Sequence, residues 1–293
     1  MTNAAIVKAQ SPAARSFNRA LKNPSLLVSS AVLLIIVGLA IFAPLVATQD
    51  PYAQDLLARS KPPVFLGGEW NHPLGTDALG RDFLARLLYG ARVSLFIGFA
   101  AALVSGLIGG TMGIAAGYFG GRVDACIRFA INVRLALPVV LVALAVVSLF
   151  GTSLVTITII LGLLLWDRYA VVLRAATMQV RSLEFIAAAE TLGTRTPRIL
   201  VKDILPNVSS QLIVIATIEM AHAIMLEAAL SFLGLGVQPP TPSWGLMISE
   251  GKEMLLFDSW MITIPGIALF ILVLAINMFG DGVRDVTSPE GRN

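Results

Sequence analysis

Charge is what this sequence has least of. Only 13% of its 293 residues are Asp, Glu, Lys or Arg while 56% are hydrophobic, and the mean hydropathy is +0.81. A soluble domain carries roughly 25% charged residues. This chain therefore lacks the polar surface to stay dissolved, and burial in a bilayer fits its composition. Cysteine is as scarce: one residue, Cys126, excludes an internal disulfide. Two histidines far apart in the chain, His72 and His222, give no metal-ligand spacing and no support for a histidine-based catalytic centre. No G-x-x-x-x-G-K-[ST] loop occurs, which excludes nucleotide hydrolysis by that route. G-x-S-x-G and H-E-x-x-H are missing too. The net charge of +3 and pI near 9.2 do not indicate nucleic acid, because the basic residues fall in short segments between apolar runs. We expect no enzyme here, and no cofactor or metal bound by this chain.

What is present is apolar and comes in bilayer-length runs. The first, Leu26–Val46, follows Lys8, Arg15, Arg19 and Lys22 and superficially resembles a secretory leader. At 21 residues it exceeds the roughly 7–15 of a leader core and matches a hydrocarbon layer of about 30 Å, so it reads as a retained first transmembrane helix over 26–46. A polar, proline-containing stretch, 47–92, is predicted as a periplasmic segment with a short helix. The second run is Val93–Gly121. The third, Leu135–Trp166, would make a helix of about 48 Å, too long for one crossing. Arg122, Arg128 and Arg134 flank one end, and Arg168, Arg174 and Arg181 the other. The positive-inside rule wants both ends cytoplasmic, which predicts two crossings joined at Gly151-Thr152-Ser153. The fifth span covers Ser209–Leu230 and the sixth Met261–Phe279. The expectation is an all-α membrane protein with six transmembrane helices and both termini cytoplasmic. Its tails are 1–25 and 284–293, and the core of spans two to six is 93–283, with a cytoplasmic loop at about 174–207.

Three features carry candidate function. Glu219 and His222 are i, i+3 and share a face of the fifth span, with Glu227 near its outer end. Intramembrane charges are expensive and face a cavity or a partner. They either line a translocation path or bond neighbouring helices. Gly106, Gly109, Gly110, Gly113 and Gly117 make a small-residue stripe on the second span, which predicts close helix packing. Gly75–Asp82 reads as a turn entering a helix, capped by Thr76 or Asp77. Finally, the stretch from Glu184 through Ala187-Ala188-Ala189 to Gly193, and on through Arg198 to Leu205-Pro206, reads as a short helix, a glycine turn and a second helix stopped by Pro206.

That stretch resembles the EAA loop of bacterial ABC-transporter permeases, of the form E-A-A-x3-G with I-x-L-P downstream. Ala188, Ala189, Gly193, Leu205 and Pro206 match. Ala187 stands where the pattern has Glu, with Glu184 three residues earlier, and Asp203 stands where it has Ile, with Ile204 after it. His72-Pro-Leu-Gly-Thr-Asp77 through Gly80-Arg-Asp82, Leu88-Tyr-Gly-Ala-Arg92, Gly117-Tyr-Phe-Gly-Gly121, Ala136-Leu-Pro138, the segment from Ala229 through Gln238-Pro239-Pro240 to Trp244-Gly245, and Gly280-Asp-Gly-Val-Arg-Asp285 are similar to the dipeptide/oligopeptide/nickel permeases. They look like the second permease of the usual pair, with a short first periplasmic loop.

The resemblance implies a type I ABC importer permease fold in a bacterial inner membrane. It also implies a second homologous permease, two cytoplasmic ATPase subunits that hold ATP and Mg, and a periplasmic or lipid-anchored substrate-binding protein. In that frame Ala187, Ala188, Ala189, Gly193, Leu205 and Pro206 couple to an ATPase. Gln238, Pro239, Pro240 and Trp244 form a stiff outer segment that either seals a periplasmic gate or touches the binding protein. The rival class is a secondary transporter driven by an ion gradient through Glu219, His222 and Glu227, against which no inverted repeat with paired broken helices is visible. A membrane enzyme would need a clustered nucleophile, metal or acid–base set, and a channel would need a pore-lining ring; neither is found.

Overall fold

The computed structural model describes residues 19–287, and every regular element among them is helical. Five helices are long and apolar enough to cross a membrane, or six when one bent pair counts as a span. Their ends differ from the apolar runs for local reasons. Helix α1, Pro24–Ile41, starts where the Asn23 side chain accepts from the Leu26 N–H at 3.1 Å, with Pro24 fitting the first turn. It stops short of the predicted Val46 because Pro44 has no N–H to continue the ladder, and Ala43–Val46 forms a separate turn.

Helix α2, Phe83–Phe119, begins ten residues before the predicted Val93, so 83–92 is not part of the polar segment. Its N-cap is Asp82, whose carboxylate accepts from the Ala85 N–H at 2.7 Å; neither Thr76 nor Asp77 caps it. The charge-free run of the sequence starts only after Arg92, which is exposed on α2, while Arg86 within the same helix is buried and paired with acids. At about 1.5 Å per residue, α2 extends about 55 Å, from the end carrying 47–82 to the end carrying residues 184–207.

Helix α3, Gly121–Leu135, is charged, and helix α4, Val139–Phe150, meets it at 84° after Pro138. The chain turns at Gly151, which has φ +92°, and Ser153 caps helix α5, Leu154–Leu164. Ala143 and Val147 of α4 pack in one core with Ile157 and Leu161 of α5. Helix α6, Trp166–Arg181, continues directly from α5, so the span Leu154–Arg181 carries Arg168 within it rather than at its flank. Helix α7, Glu184–Thr191, precedes a helical turn, Thr196–Ile199, and a wide turn, Leu200–Ile204, that runs into helix α8, Leu205–Phe232. Pro206 therefore does not stop a helix: it is the second residue of α8, directly after the wide turn, and the helical path runs through it. Helix α9, Trp244–Gly251, and helix α10, Trp260–Thr287, complete the chain. The predicted tail 1–25 lies mostly outside the described residues, and α10 runs into the predicted tail 284–293.

The glycine stripe is where α6 lies against α2. A Cβ on Gly109 would stand 2.0 Å from the Trp166 carbonyl oxygen, one on Gly113 2.7 Å from that of Ala170, and one on Gly117 2.7 Å from that of Arg174. Backbone touches backbone along three turns, as small residues allow between membrane helices. Tyr169 locks the same seam, donating to the Ala102 carbonyl at 2.9 Å. Gly109→Ala should therefore lower stability by about 1–3 kcal/mol through overpacking, read as a fall in the melting temperature of the detergent-solubilised protein. Gly38→Ala, where nothing stands within 4 Å, should leave it unchanged or slightly raised.

Candidate functional site

Helices α6 and α8 bring three polar side chains together between the ends of the bundle. Glu219 is completely buried, and its Oε1 lies 3.3 Å from Nδ1 of His222, one turn along α8. Arg168 of α6 closes the cluster, its Nη1 3.4 Å from Glu219 Oε1 and 2.7 Å from His222 Nδ1. Buried carboxylates need such a counter-charge. Arg168 and His222, about half and two-fifths exposed, help line a cavity of about 510 Å³ with Asp167, Pro138 and Met225. A second cavity of about 410 Å³ lies further along the same helices, lined by Val172, Gln211, Ile215 and Arg284. Gln211, Ile215, Ile218, His222, Met225 and Ala229 recur at spacings of three and four, so one stripe of α8 lines both.

Glu227 lies apart from this stripe. It is fully buried, and its Oε1 accepts from the Ser231 hydroxyl at 2.8 Å and the Ser243 hydroxyl at 2.9 Å. Ser243 also caps α9, accepting from the Leu246 N–H at 3.0 Å. Glu227 thus ties α8 to the start of α9. Trp244 is buried as well; its indole donates to the Leu87 carbonyl at 2.8 Å and its backbone N–H to the Ser94 hydroxyl. Gln238, Pro239 and Pro240 are exposed, so the four residues predicted as one gate segment divide into a surface loop and a core anchor.

A buried charge network fixes the neighbouring end. Asp77 meets Arg81 at 2.6 Å and also pairs with Arg86, and Arg81 reaches Glu250 of α9 at 3.1 Å. Arg86 Nη1 is 2.7 Å from Glu250 Oε2, close in charge but not aligned as a hydrogen bond. His72 adds a contact to the Asp82 cap at 2.9 Å.

At the opposite end, α7 is held by one side and bare on the other. Ile186 is buried with Tyr118, Leu173, Ile199, Ile204 and Val208 from the ends of α2, α6 and α8. The Tyr118 hydroxyl donates to Glu190 at 2.9 Å. Ala187 and Ala188 are exposed, Ala189 is half-buried, and Leu192 is 85% exposed. The helix ends in a Schellman turn: Thr194 N–H bonds the Ala189 carbonyl and Gly193 N–H that of Glu190, with Gly193 at φ +73°. Ile204 supplies the buried apolar contact one position after the motif's isoleucine, and Asp203 stays half-buried. Leu205 and Pro206 are exposed where α8 begins. Nearby, Arg174 Nη2 lies 2.9 Å from Asp124 of α3, an ion pair that holds the Asp124 carboxyl below its ordinary range.

Sequence reasoning paired Glu219 with His222 but left out Arg168, counted there only as a flanking charge. The signal was indirect: an acid buried in an apolar span implies a cation on a neighbouring helix. The Asp77–Arg86–Glu250 network gave no local signal, since its members are up to 173 positions apart.

Residues 109–292 match the family described as binding-protein-dependent transport system inner membrane component, and residues 11–63 match the N-terminal TM domain of oligopeptide transport permease C. The chain is similar to a di/tripeptide transport system permease protein of Pseudomonas aeruginosa, at 40% identity over 89% of this chain and 86% of the relative. It is also similar to a dipeptide transport system permease protein of Haemophilus influenzae, at 37% identity over 92% of each. An oligopeptide transport system permease protein of Bacillus subtilis matches at 36% identity over 92% of this chain and 87% of the relative. Among solved structures, an inward-facing MetNI methionine ABC transporter superposes with a TM-score of 0.57 at 18% identity, covering 69% of this chain and 97% of that one. The fold is that of a type I ABC importer permease.

Asp77→Ala should leave the buried Arg81 and Arg86 with only the partly exposed Glu250 as an acid partner. Removing one partner of a buried pair costs about 3–5 kcal/mol, so the purified variant should unfold at a clearly lower temperature, with Glu69→Ala on the exposed surface as the unaffected reference.

Proposed function

The chain belongs to the family of binding-protein-dependent transport system inner membrane components, and from that membership we propose that it is one permease of an ATP-driven importer of di- or oligopeptides in a bacterial inner membrane. Its relatives at 36–40% identity are di/tripeptide, dipeptide and oligopeptide transport system permease proteins, which supports a peptide cargo. In this reading both termini and α7 face the cytoplasm, and 47–82 and α9 face the periplasm. A second permease, two ATPases carrying ATP and Mg, and a substrate-binding protein complete the assembly. An ion-gradient mechanism through Glu219, His222 and Glu227 gains nothing from the comparisons.

The observation that carries the reading is α7. Its buried Ile186 and Schellman turn make a stiff knob seated on the ends of three spanning helices, while Ala187, Ala188 and the exposed Leu192 leave its outer side low enough for close approach. A partner ATPase that closes on nucleotide would move this knob as a rigid body and tilt the helices beneath it. The shift is driven only by what the nucleotide binds better in one state. The stripe of α8 along the two cavities supplies this chain's half of the passage, with His222 on it and Glu219 buried beneath it as the partner of Arg168. Glu227 takes a packing role between α8 and α9. Gln238, Pro239 and Pro240 form the face offered to the binding protein, and Trp244 anchors that loop.

Ala188→Arg, or Gly193→Leu at its positive φ, should leave the chain inserted and paired with the second permease. Recovery of the ATPases from mild detergent should fall about ten-fold, equivalent to about 1.4 kcal/mol of docking. Normal ATPase recovery and peptide uptake in both variants would remove α7 as the docking element.

A further inference from the structure

We propose that Arg168 is the carboxylate-binding residue of the passage, the group that receives the free C-terminal carboxylate of the peptide as it crosses; this rests on the peptide-importer reading above. Arg168 stands on the wall of the 510 Å³ cavity, within the range of small-molecule sites. Its partners take up only part of its capacity. Nη1 alone contacts Glu219 and His222, and among the described residues no hydrogen bond engages Nε or Nη2. A guanidinium presents five donors in a planar fork matched to a carboxylate, so the free edge remains for a bidentate pair with a ligand.

The acids around it are arranged so that this edge stays available. Glu219 is completely buried, with Oε1 on Arg168 and His222 and Oε2 without a partner. It holds the cation in place from behind, beneath the cavity wall. Asp167, on the same wall, is nearer to Arg134, whose Nη2 is 4.0 Å from it while its Nε donates to the Leu164 carbonyl at 2.8 Å. The other cation on this wall is thereby occupied with α5 and the α5–α6 junction. Arg168 is about half exposed, against 13% for Arg134. The cavity thus offers one free cationic edge in an otherwise largely apolar lining of Leu135, Leu137, Val139 and Met225. A single anionic group on an amphipathic cargo fits that chemistry, and a peptide's C-terminus supplies one whatever its side chains.

The test uses the complete importer in proteoliposomes, with one peptide offered as the free acid and as its C-terminal amide. Initial uptake is measured for wild type, Arg168→Gln and Arg168→Lys. The same binding protein delivers to all three, so its own preference cancels when the acid-to-amide ratio is compared between variants. The ratio should fall about ten-fold in Arg168→Gln, the loss of one charge-assisted pair, and only part of that way in Arg168→Lys, which keeps the charge without the fork. A ratio equal to wild type in the Gln variant, with wild type active, overturns the site and leaves the importer reading standing. A Gln variant that no longer copurifies with the second permease also overturns it, because Arg168 would then be an inter-subunit contact. Wild type that takes up neither form overturns both.

Discussion

The contact between α2 and α6 governs the rest of the architecture. In a bilayer no hydrophobic force draws apolar helices together, so association depends on close packing and hydrogen bonds. Gly109, Gly113 and Gly117 let the α6 backbone carbonyls of Trp166, Ala170 and Arg174 press against α2. That approach sets the depth and rotation of α6. It thereby sets where Arg168 and Arg174 point, the first toward Glu219 and His222 of α8 and the second toward Asp124 of α3. Widening the seam by one methyl would move both cations together.

Charge is rare in this chain, and where it is buried it has a structural partner. Asp77, Arg81, Arg86 and Glu250 bind the segment before α2 to α9, Glu227 joins α8 to the cap of α9, and Glu219 holds Arg168. Contacts such as Arg81–Glu250, Arg86–Glu250 and Arg168–Glu219 join elements far apart in sequence, so they act as positional pins in a body otherwise held by non-directional packing. The difference among them is access. The Glu227 carboxylate is enclosed, and the network at Glu250 borders a cavity of about 240 Å³ with Arg81 and Arg86 buried and paired to acids. Arg168, by contrast, is about half exposed on a cavity of about 510 Å³, which is why function is assigned to it.

The sequence revealed the number and nature of the spans because loss of charge over about 20 residues is a one-dimensional property. The same criterion misplaces their ends where a charge lies within a helix: Arg86 and the exposed Arg92 hide the first ten residues of α2, and Arg168 reads as a flank. The turn at Gly193 and the seam of glycines were legible, since small residues at fixed spacing have few other uses. The cap of α2 was read at Thr76 or Asp77, while the helix starts at Asp82. Asp77 is spent instead on the two arginines, a choice that depends on where Glu250 lies. Glu219 and His222 were paired from their spacing alone; the cation that completes them came from another helix and required three dimensions.

The wide turn at Leu200–Ile204 joins Thr196–Ile199 to α8 without interrupting the helical path, so one rod runs from Thr196 to Phe232. Its 37 residues make a beam of about 55 Å. A beam of that length converts a tilt of about 5° at the Gly193 end into a sweep of about 5 Å at the Glu227 end by leverage alone. Displacement at one membrane face therefore needs no relay of rearranging side chains to be felt at the other, and the stiffness of that single rod sets how much of the stroke arrives.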